Sequence, residues 1–204
     1  MLHMETVESD TLDLVKRIQA LPVLSETRLV GGTALALQLG HRLSIDLDFF
    51  GTWQDRNLQP ALESCGAVIR TGGSGRLQFY EIDKVKVDFV TYECPWLRNP
   101  VVEDGIRMAH AEDIVAMKLE AVTSRGKKKD FMDIAFLLDQ FDIRRMLDLY
   151  QKKYPSGLML LVLRSLVYFD DAEDDPMPMM LKPLDWETTK ERIRQAVRQV
   201  ALEG

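Results

Sequence analysis

Two short segments, Val30-Gly31-Gly32-Thr33 and Ser44-Ile45-Asp46-Leu47-Asp48-Phe49-Phe50, decide the reading of this chain. In a strand, alternate side chains share a face. Ser44, Asp46 and Asp48 therefore fall on one face, and Ile45, Leu47 and Phe49 on the other, the apolar one that turns to a core. Ahead of them, a short strand at 27–30 runs into the glycine pair. A helix follows from Thr33 to Leu39 and ends at Gly40, a residue suited to the left-handed C′ position. Downstream, Val85-Lys86-Val87-Asp88-Phe89 repeats the alternation. Val85, Val87 and Phe89 form its apolar face, Lys86 and Asp88 its polar one. Paired beside the first strand in suitable register, it brings a third aspartate to the first two.

Such a cluster needs a partner. Two carboxylates about 6 Å apart repel by roughly 3 kcal/mol at an effective dielectric of about 20. A hard divalent cation relieves this, and Mg²⁺ favours carboxylate oxygens together with substrate phosphates. Two such ions held by three carboxylates make the clamp used for in-line phosphoryl transfer. The glycine pair fits the same chemistry. Glycines let the backbone approach a phosphate, and a helix starting there points free amides and its positive dipole end toward the anion. The bland alternative is a set of solvated acids on an exposed sheet face.

Outward from this centre, a helix is predicted at 6–21 and another at Gln54–Cys65. Strands are predicted at 67–71, 76–82, 84–91 and 105–108, with Thr71-Gly-Gly-Ser-Gly75 as a hairpin connection. From Ala111 the periodicity is helical, over about 111–125, 128–139, 142–153, 157–169 and 186–201, with prolines between the segments. Strands first and helices second make an α+β chain with a core over 1–110 and a helical C-terminal lobe over 111–204. Leu158–Leu163 is apolar all round and is expected inside that lobe. The acidic run Asp170–Asp175 reads as a solvated loop.

On the wheel of 111–125, Lys118 and Arg125 fall within the apolar stripe of Ile114, Met117, Ala121 and Val122. Inward cations need anionic partners. Either they form structural ion pairs or snorkel, or they face an active cleft and hold a triphosphate. Asp130 lies on the apolar face of the next helix, where it can pair with Lys118 or Arg125, while Asp133 lies nearer the rim. The run Arg125-Gly-Lys127-Lys128-Lys129 is the one local basic patch of note, read as a solvated turn or as a contact for an RNA backbone. Arg42, in the turn before the acidic strand, is placed for phosphate.

Composition narrows the class. The chain has 204 residues, 46% hydrophobic and 28% charged, which suits a globular protein and excludes a disordered tail or a coiled-coil rod. A net charge of −6 excludes a bulk polycation that coats nucleic acid. Cys65 and Cys94 are too few for a disulfide framework. No run approaches the length of a membrane span, and the start lacks a secretory pattern, so a cytoplasmic location is expected.

The stretch Gly31-Gly-Thr-Ala-Leu-Ala-Leu-Gln-Leu-Gly-His-Arg-Leu-Ser-Ile-Asp-Leu-Asp-Phe-Phe50 resembles the AbiEii/AbiGii toxin-like family, within the nucleotidyltransferase superfamily that includes DNA polymerase beta. Asp113-Ile-Val-Ala-Met-Lys118 and Lys128-Lys-Asp-Phe-Met-Asp133 look like the family's later motifs, and the likeness extends over roughly 25–140. The resemblance implies a nucleotidyltransferase-like mixed sheet with flanking helices and a helical lobe contributing to the active cleft. It implies Mg²⁺ (or Mn²⁺)-dependent transfer of NMP from an NTP, with RNA, notably tRNA, as acceptor and an antitoxin as opposing partner. By motif, Asp46, Asp48 and Asp88 hold the metals and Asp88 helps deprotonate the acceptor. Gly31, Gly32 and Thr33 hold the triphosphate, with Arg42, Ser44, Arg125 and Asp130 as further nucleotide contacts, and Lys118 meets phosphate or the transition state. Many members of the wider superfamily have serine where Gly32 stands, so Thr33 or backbone amides must replace that hydroxyl. Two other uses of the same fold stand beside this one: transfer to a protein or small molecule, and a non-catalytic module that binds a nucleotide or a partner.

Overall fold

A computed structural model describes residues 1–55 and 57–202. In chain order the elements are α1 (Ser9–Gln19), β1 (Arg28–Val30), α2 (Gly31–Leu39), β2 (Leu47–Gly51), α3 (Gln59–Leu62), β3 (Val68–Ser74), β4 (Leu77–Ile82), β5 (Val85–Thr91), β6 (Val101–Glu103) and β7 (Ile106–Met108). The helices α4 (Ala111–Ser124), α5 (Lys128–Leu137), α6 (Ile143–Lys153), α7 (Met159–Leu166) and α8 (Trp186–Leu202) follow. The chain is α+β and divides into two compact units. One is Met1–Cys94 with Asn99–His110, the other Pro95–Arg98 with Ala111–Gly204.

The first unit is built on a seven-stranded mixed sheet in the order β3-β4-β5-β2-β1-β7-β6. β2 runs antiparallel to β1 and parallel to β5, while β4 and β5 form an antiparallel hairpin. That hairpin turns in two residues, Asp83 and Lys84, both with positive φ (51° and 70°). Two positive φ values in a two-residue loop match the twist of the strands, so the turn fixes the register of β5. On the apolar face, Phe49 of β2 lies opposite Phe89 of β5, and the rings stack 5.4 Å apart. Tyr80 and Trp53 meet Phe89 edge-on. The core under β2 and β5 is thus aromatic, and the polar side chains of both strands are turned to the other face.

Helix α2 is buried on almost every side, with Ala34, Leu35, Ala36 and Leu37 fully enclosed. It ends at Gly40, whose φ of 65° is the left-handed C-cap that the sequence predicts. The span predicted as one helix from Gln54 to Cys65 holds a single turn, α3, with Pro60 in its first turn. Arg56, inside that span, lies outside the described residues. The glycine-rich stretch at 72–74 is strand, the end of β3, with a register shift between Arg70 and Gly72. As an edge strand, β3 tolerates glycines that a central strand would not.

The second unit is helical. The segment Pro95–Arg98 belongs to it because Asp113 of α4 accepts hydrogen bonds from the Leu97 and Arg98 amides (2.9 and 3.1 Å). Lys153 of α6, fully buried, donates to Asp113 (2.7 Å) and to the Pro95 carbonyl (3.0 Å). Phe131, Phe169 and Trp186 form an aromatic cluster joining α5 to α8. Against expectation, the apolar segment Leu158–Leu163 is not interior. Val162 is fully buried, but Leu158 and Leu160 are 68% and 61% exposed. A two-turn helix packed along one edge buries only one stripe, here Val162 and Leu166. The acidic run is not simply solvated either. Asp175 accepts from the first amide of α5 (3.0 Å), and Glu173 accepts from the Trp186 indole (2.9 Å).

Glu112 of α4 receives Arg98 (2.8 and 3.3 Å) and Arg145 (2.9 Å). The Arg98 hydrogen bond, aided by Arg145 and opposed by burial, holds its carboxyl down to about 2, against an ordinary 4.5. A depressed folded pKa contributes stability above the unfolded value, and that contribution is lost as pH falls through the folded one. Glu112→Gln should therefore be less stable than the parent at about pH 6. Thermal melts of the two should converge as the pH approaches about 2, because the parent loses its advantage between about 4.5 and 2.

Candidate active site

The register of the central strands assembles the site. Val30, the last residue of β1, lies opposite Asp48 of β2, and Asp48 lies opposite Asp88 of β5. Two aspartates thus stand side by side on neighbouring parallel strands, and the glycine turn that leaves β1 is set against the first of them. Gly31 has φ of 68° and no room for a side chain: a Cβ there would stand 2.5 Å from Asp48 Oδ2. A Cβ on Gly32 would stand 2.3 Å from Arg42 Nη2 and 3.3 Å from Ser44 Oγ. Gly31 is demanded by its left-handed backbone as well as by Asp48, while a side chain at Gly32 would have to displace the end of Arg42. Helix α2 starts here, and its N-cap, Val30, offers no side-chain hydrogen bond to the first amides.

Asp46 precedes the strand rather than lying in it. The alternation that predicts a strand from Ser44 extends further than the ladder, which begins at Leu47. Ile45, expected in the core, is exposed. The backbone of 44–46 is held by other bonds. The Ser44 amide donates to the Thr6 carbonyl (2.9 Å), and the buried Thr33 hydroxyl donates to the Asp46 carbonyl and lies 2.9 Å from Ser44 Oγ. Thr33 and Ser44 thus pin the loop that carries Asp46. Arg42 is buried against Gly32 and donates from Nη1 to the Leu43 carbonyl (2.9 Å).

Lys86, two residues before Asp88 on the same face of β5, places Nζ 2.9 Å from Asp88 Oδ2. The lysine side chain is 60% exposed and that of Asp88 14%. The other oxygen, Asp88 Oδ1, is buried without a hydrogen-bond partner. The bond to Asp88 raises the Lys86 pKa, burial opposes this, and the charges of Asp88, Asp46 and Asp48 add to the rise. All three aspartates therefore act on one ammonium. Among the described residues, no three acid, thiol or imidazole groups form a ready cage for a metal ion.

The remaining predicted residues lie in the helical unit. Lys118 Nζ reaches Asp130 (2.9 Å) and Asp133 (2.6 Å), and all three side chains are buried. Arg125, about half exposed, grips Asp130 with Nε and Nη2 (2.9 and 3.1 Å). Burial pushes the Asp130 carboxyl up, but Lys118 and Arg125 outweigh it and hold it below the ordinary range. The anionic partners expected for the two cations are thus present. Asp133, expected near the rim, is as buried as Asp130. Lys86 received no role from the sequence alone, although its period-2 relation to Asp88 was readable.

A mixed sheet carrying adjacent aspartates against a glycine turn, followed by helices, is a nucleotidyltransferase architecture. The profile of the nucleotidyl transferase AbiEii toxin family, of type IV toxin–antitoxin systems, matches residues 13–202, and the chain belongs to that family. It is a transferase by membership, which also implies an NTP substrate and an antitoxin partner. An uncharacterised protein of Aquifex aeolicus is 30% identical over 96% of this chain and 98% of its own length. Among solved structures, JHP933 of Helicobacter pylori superposes with a TM-score of 0.58 at 20% identity, covering 98% of this chain and 92% of the other. The nucleotidyltransferase toxin MenT4 of Mycobacterium tuberculosis gives 0.57 at 18% identity, covering 95% and 86%. These two share the fold. No helix among the described residues is long and apolar enough to cross a membrane.

Two outcomes follow from the contacts. Lys118→Met removes the buried ammonium shared by Asp130 and Asp133 and leaves Asp130 to Arg125. Breaking such a buried network from one side costs about 3–5 kcal/mol. The variant should melt on the order of 10 °C below the parent in a thermal scan. Gly31→Ala demands a left-handed alanine, costing roughly 1–2 kcal/mol, and drives a methyl into Asp48. Transfer activity should fall at least about tenfold, more than the loss of stability explains, when melts and initial rates are compared.

Proposed function

We propose that this protein is a Mg²⁺- or Mn²⁺-dependent nucleotidyltransferase that moves NMP from an NTP to an RNA acceptor, with tRNA the expected class. In this reading it is the cytoplasmic toxin of a type IV toxin–antitoxin pair. The observation that carries the reading is the pairing of Asp48 with Asp88 beside the Gly31 turn. The residues present fit a hard cation. The donors are carboxylate oxygens, and Asp88 Oδ1 is a buried acceptor without a hydrogen-bond partner.

Asp46, Asp48 and Asp88 would hold the metal. When bound, a divalent cation supplies charge neutralisation at the transferring phosphate and acidifies the acceptor hydroxyl. Gly31 and Gly32 present the first amides of α2 to the triphosphate, where the helix dipole favours anions. Thr33 and Ser44 act by positioning the Asp46 loop, and Arg42 by buttressing the glycine turn. The acceptor oxygen bonds to the α-phosphorus as the bridge to the β-phosphate breaks. Pyrophosphate leaves, and the hydroxyl proton passes to Asp88. In the helical unit, Lys118 and Asp130 orient Arg125, which with Lys127 and Lys129 offers cations to an RNA backbone.

Incubation with α-labelled NTPs, Mg²⁺ and total RNA tests this. Label should enter RNA with release of pyrophosphate. Asp48→Asn should reduce transfer at least about 100-fold, several kcal/mol of charge stabilisation, with an unchanged melting temperature. Label in protein would replace RNA as the acceptor, and transfer to no acceptor at all would contradict the reading.

A further inference from the structure

We infer that Lys86 is a displaceable counter-ion of the aspartate site, holding on Asp88 the place that a divalent cation takes, and that it thereby sets the affinity for that cation. The inference rests on the metal reading above and concerns a residue that reading leaves out.

The two side chains differ in a way that suits exchange. Asp88 is largely buried and fixed on a central strand, and one of its oxygens has no hydrogen-bond partner. Lys86 reaches the other oxygen at 2.9 Å from a side chain that is 60% exposed, so it can swing away with little packing to lose. Lysine suits such a task. Its ammonium is a point charge on a flexible stem, whereas arginine would grip a carboxylate with a rigid two-pronged fork. The charges agree in direction. A divalent cation that displaces Lys86 from Asp88 brings one more positive charge to the carboxylate than the ammonium does, and the released ammonium stays on the same face, available to an incoming anion. The pair also relieves the repulsion between Asp48 and Asp88 on neighbouring strands with a cation the chain carries itself.

Mn²⁺ binding without nucleotide, followed by the loss of the free-ion signal in electron paramagnetic resonance, tests the claim. Lys86→Met should bind Mn²⁺ about fivefold more tightly than the parent, the upper range of what an exposed ion pair is worth. Lys86→Arg, which keeps the competing charge, should stay within about twofold of the parent or bind more weakly. Lys86→Gln should follow Lys86→Met, and serves in its place should the methionine variant not fold. Equal or weaker binding by the neutral variants, or equally tight binding by Lys86→Arg, would overturn the role of Lys86 and leave the metal reading standing. No Mn²⁺ binding by the parent or by any variant would remove the metal reading and this inference together.

Discussion

Parallel pairing of β2 with β5 sets Asp48 beside Asp88, and the rest of the first unit maintains that register. A slip of one residue in either strand would turn that strand's carboxylate to the opposite face and part the pair, because side chains alternate strictly along a strand. Three features oppose such a slip. Phe49 and Phe89 stack directly across the same strand pair. The two-residue turn at Asp83-Lys84 locks β5 to β4. On the other side, antiparallel pairing with β1 brings Val30 opposite Asp48, so Gly31 arrives against the carboxylate by chain connectivity alone. Placing like charges together opposes folding. The structure offsets it with Lys86 in the sheet and with a glycine turn that admits only backbone at closest approach.

The helical unit handles its charges differently. Lys118, Asp130 and Asp133 are enclosed, and Lys153 with Asp113 is enclosed as well. Such networks are satisfied only as wholes, since removing one member leaves a buried charge behind. They fix which faces of α4, α5 and α6 meet and tether Pro95–Arg98 to the unit. Arg125 is the member of this group with substantial exposure.

Much of this was legible in the sequence because local rules and tertiary context agree there. The strand, glycine pair, helix and Gly40 stop each carry a backbone reason that survives folding. Asp88 was legible from alternation alone. Where context intervened, the pattern misled. Ile45 obeys period two, yet the backbone around it bonds to Thr6 and Thr33 instead of a neighbouring strand. β6 has only three residues, too few for alternation to mark it, although the Asp104-Gly105 turn after it carries a hairpin signal. Leu158–Leu163 looked like core because its composition is apolar, but composition does not say how many neighbours a short helix meets. Asp133 looked like rim because the wheel places it off the apolar stripe, and only the fold shows Lys118 reaching it.

The central claim is that one cation site is built on Asp48 and Asp88. A crystal structure with Mn²⁺ and a non-hydrolysable NTP tests it most directly, through the anomalous signal of the metal. The account predicts a peak about 2.1 Å from carboxylate oxygens of both residues, phosphate oxygens at the start of α2, and Lys86 swung off Asp88. An intact Lys86–Asp88 contact, with nucleotide and metal bound elsewhere on the chain, would contradict it.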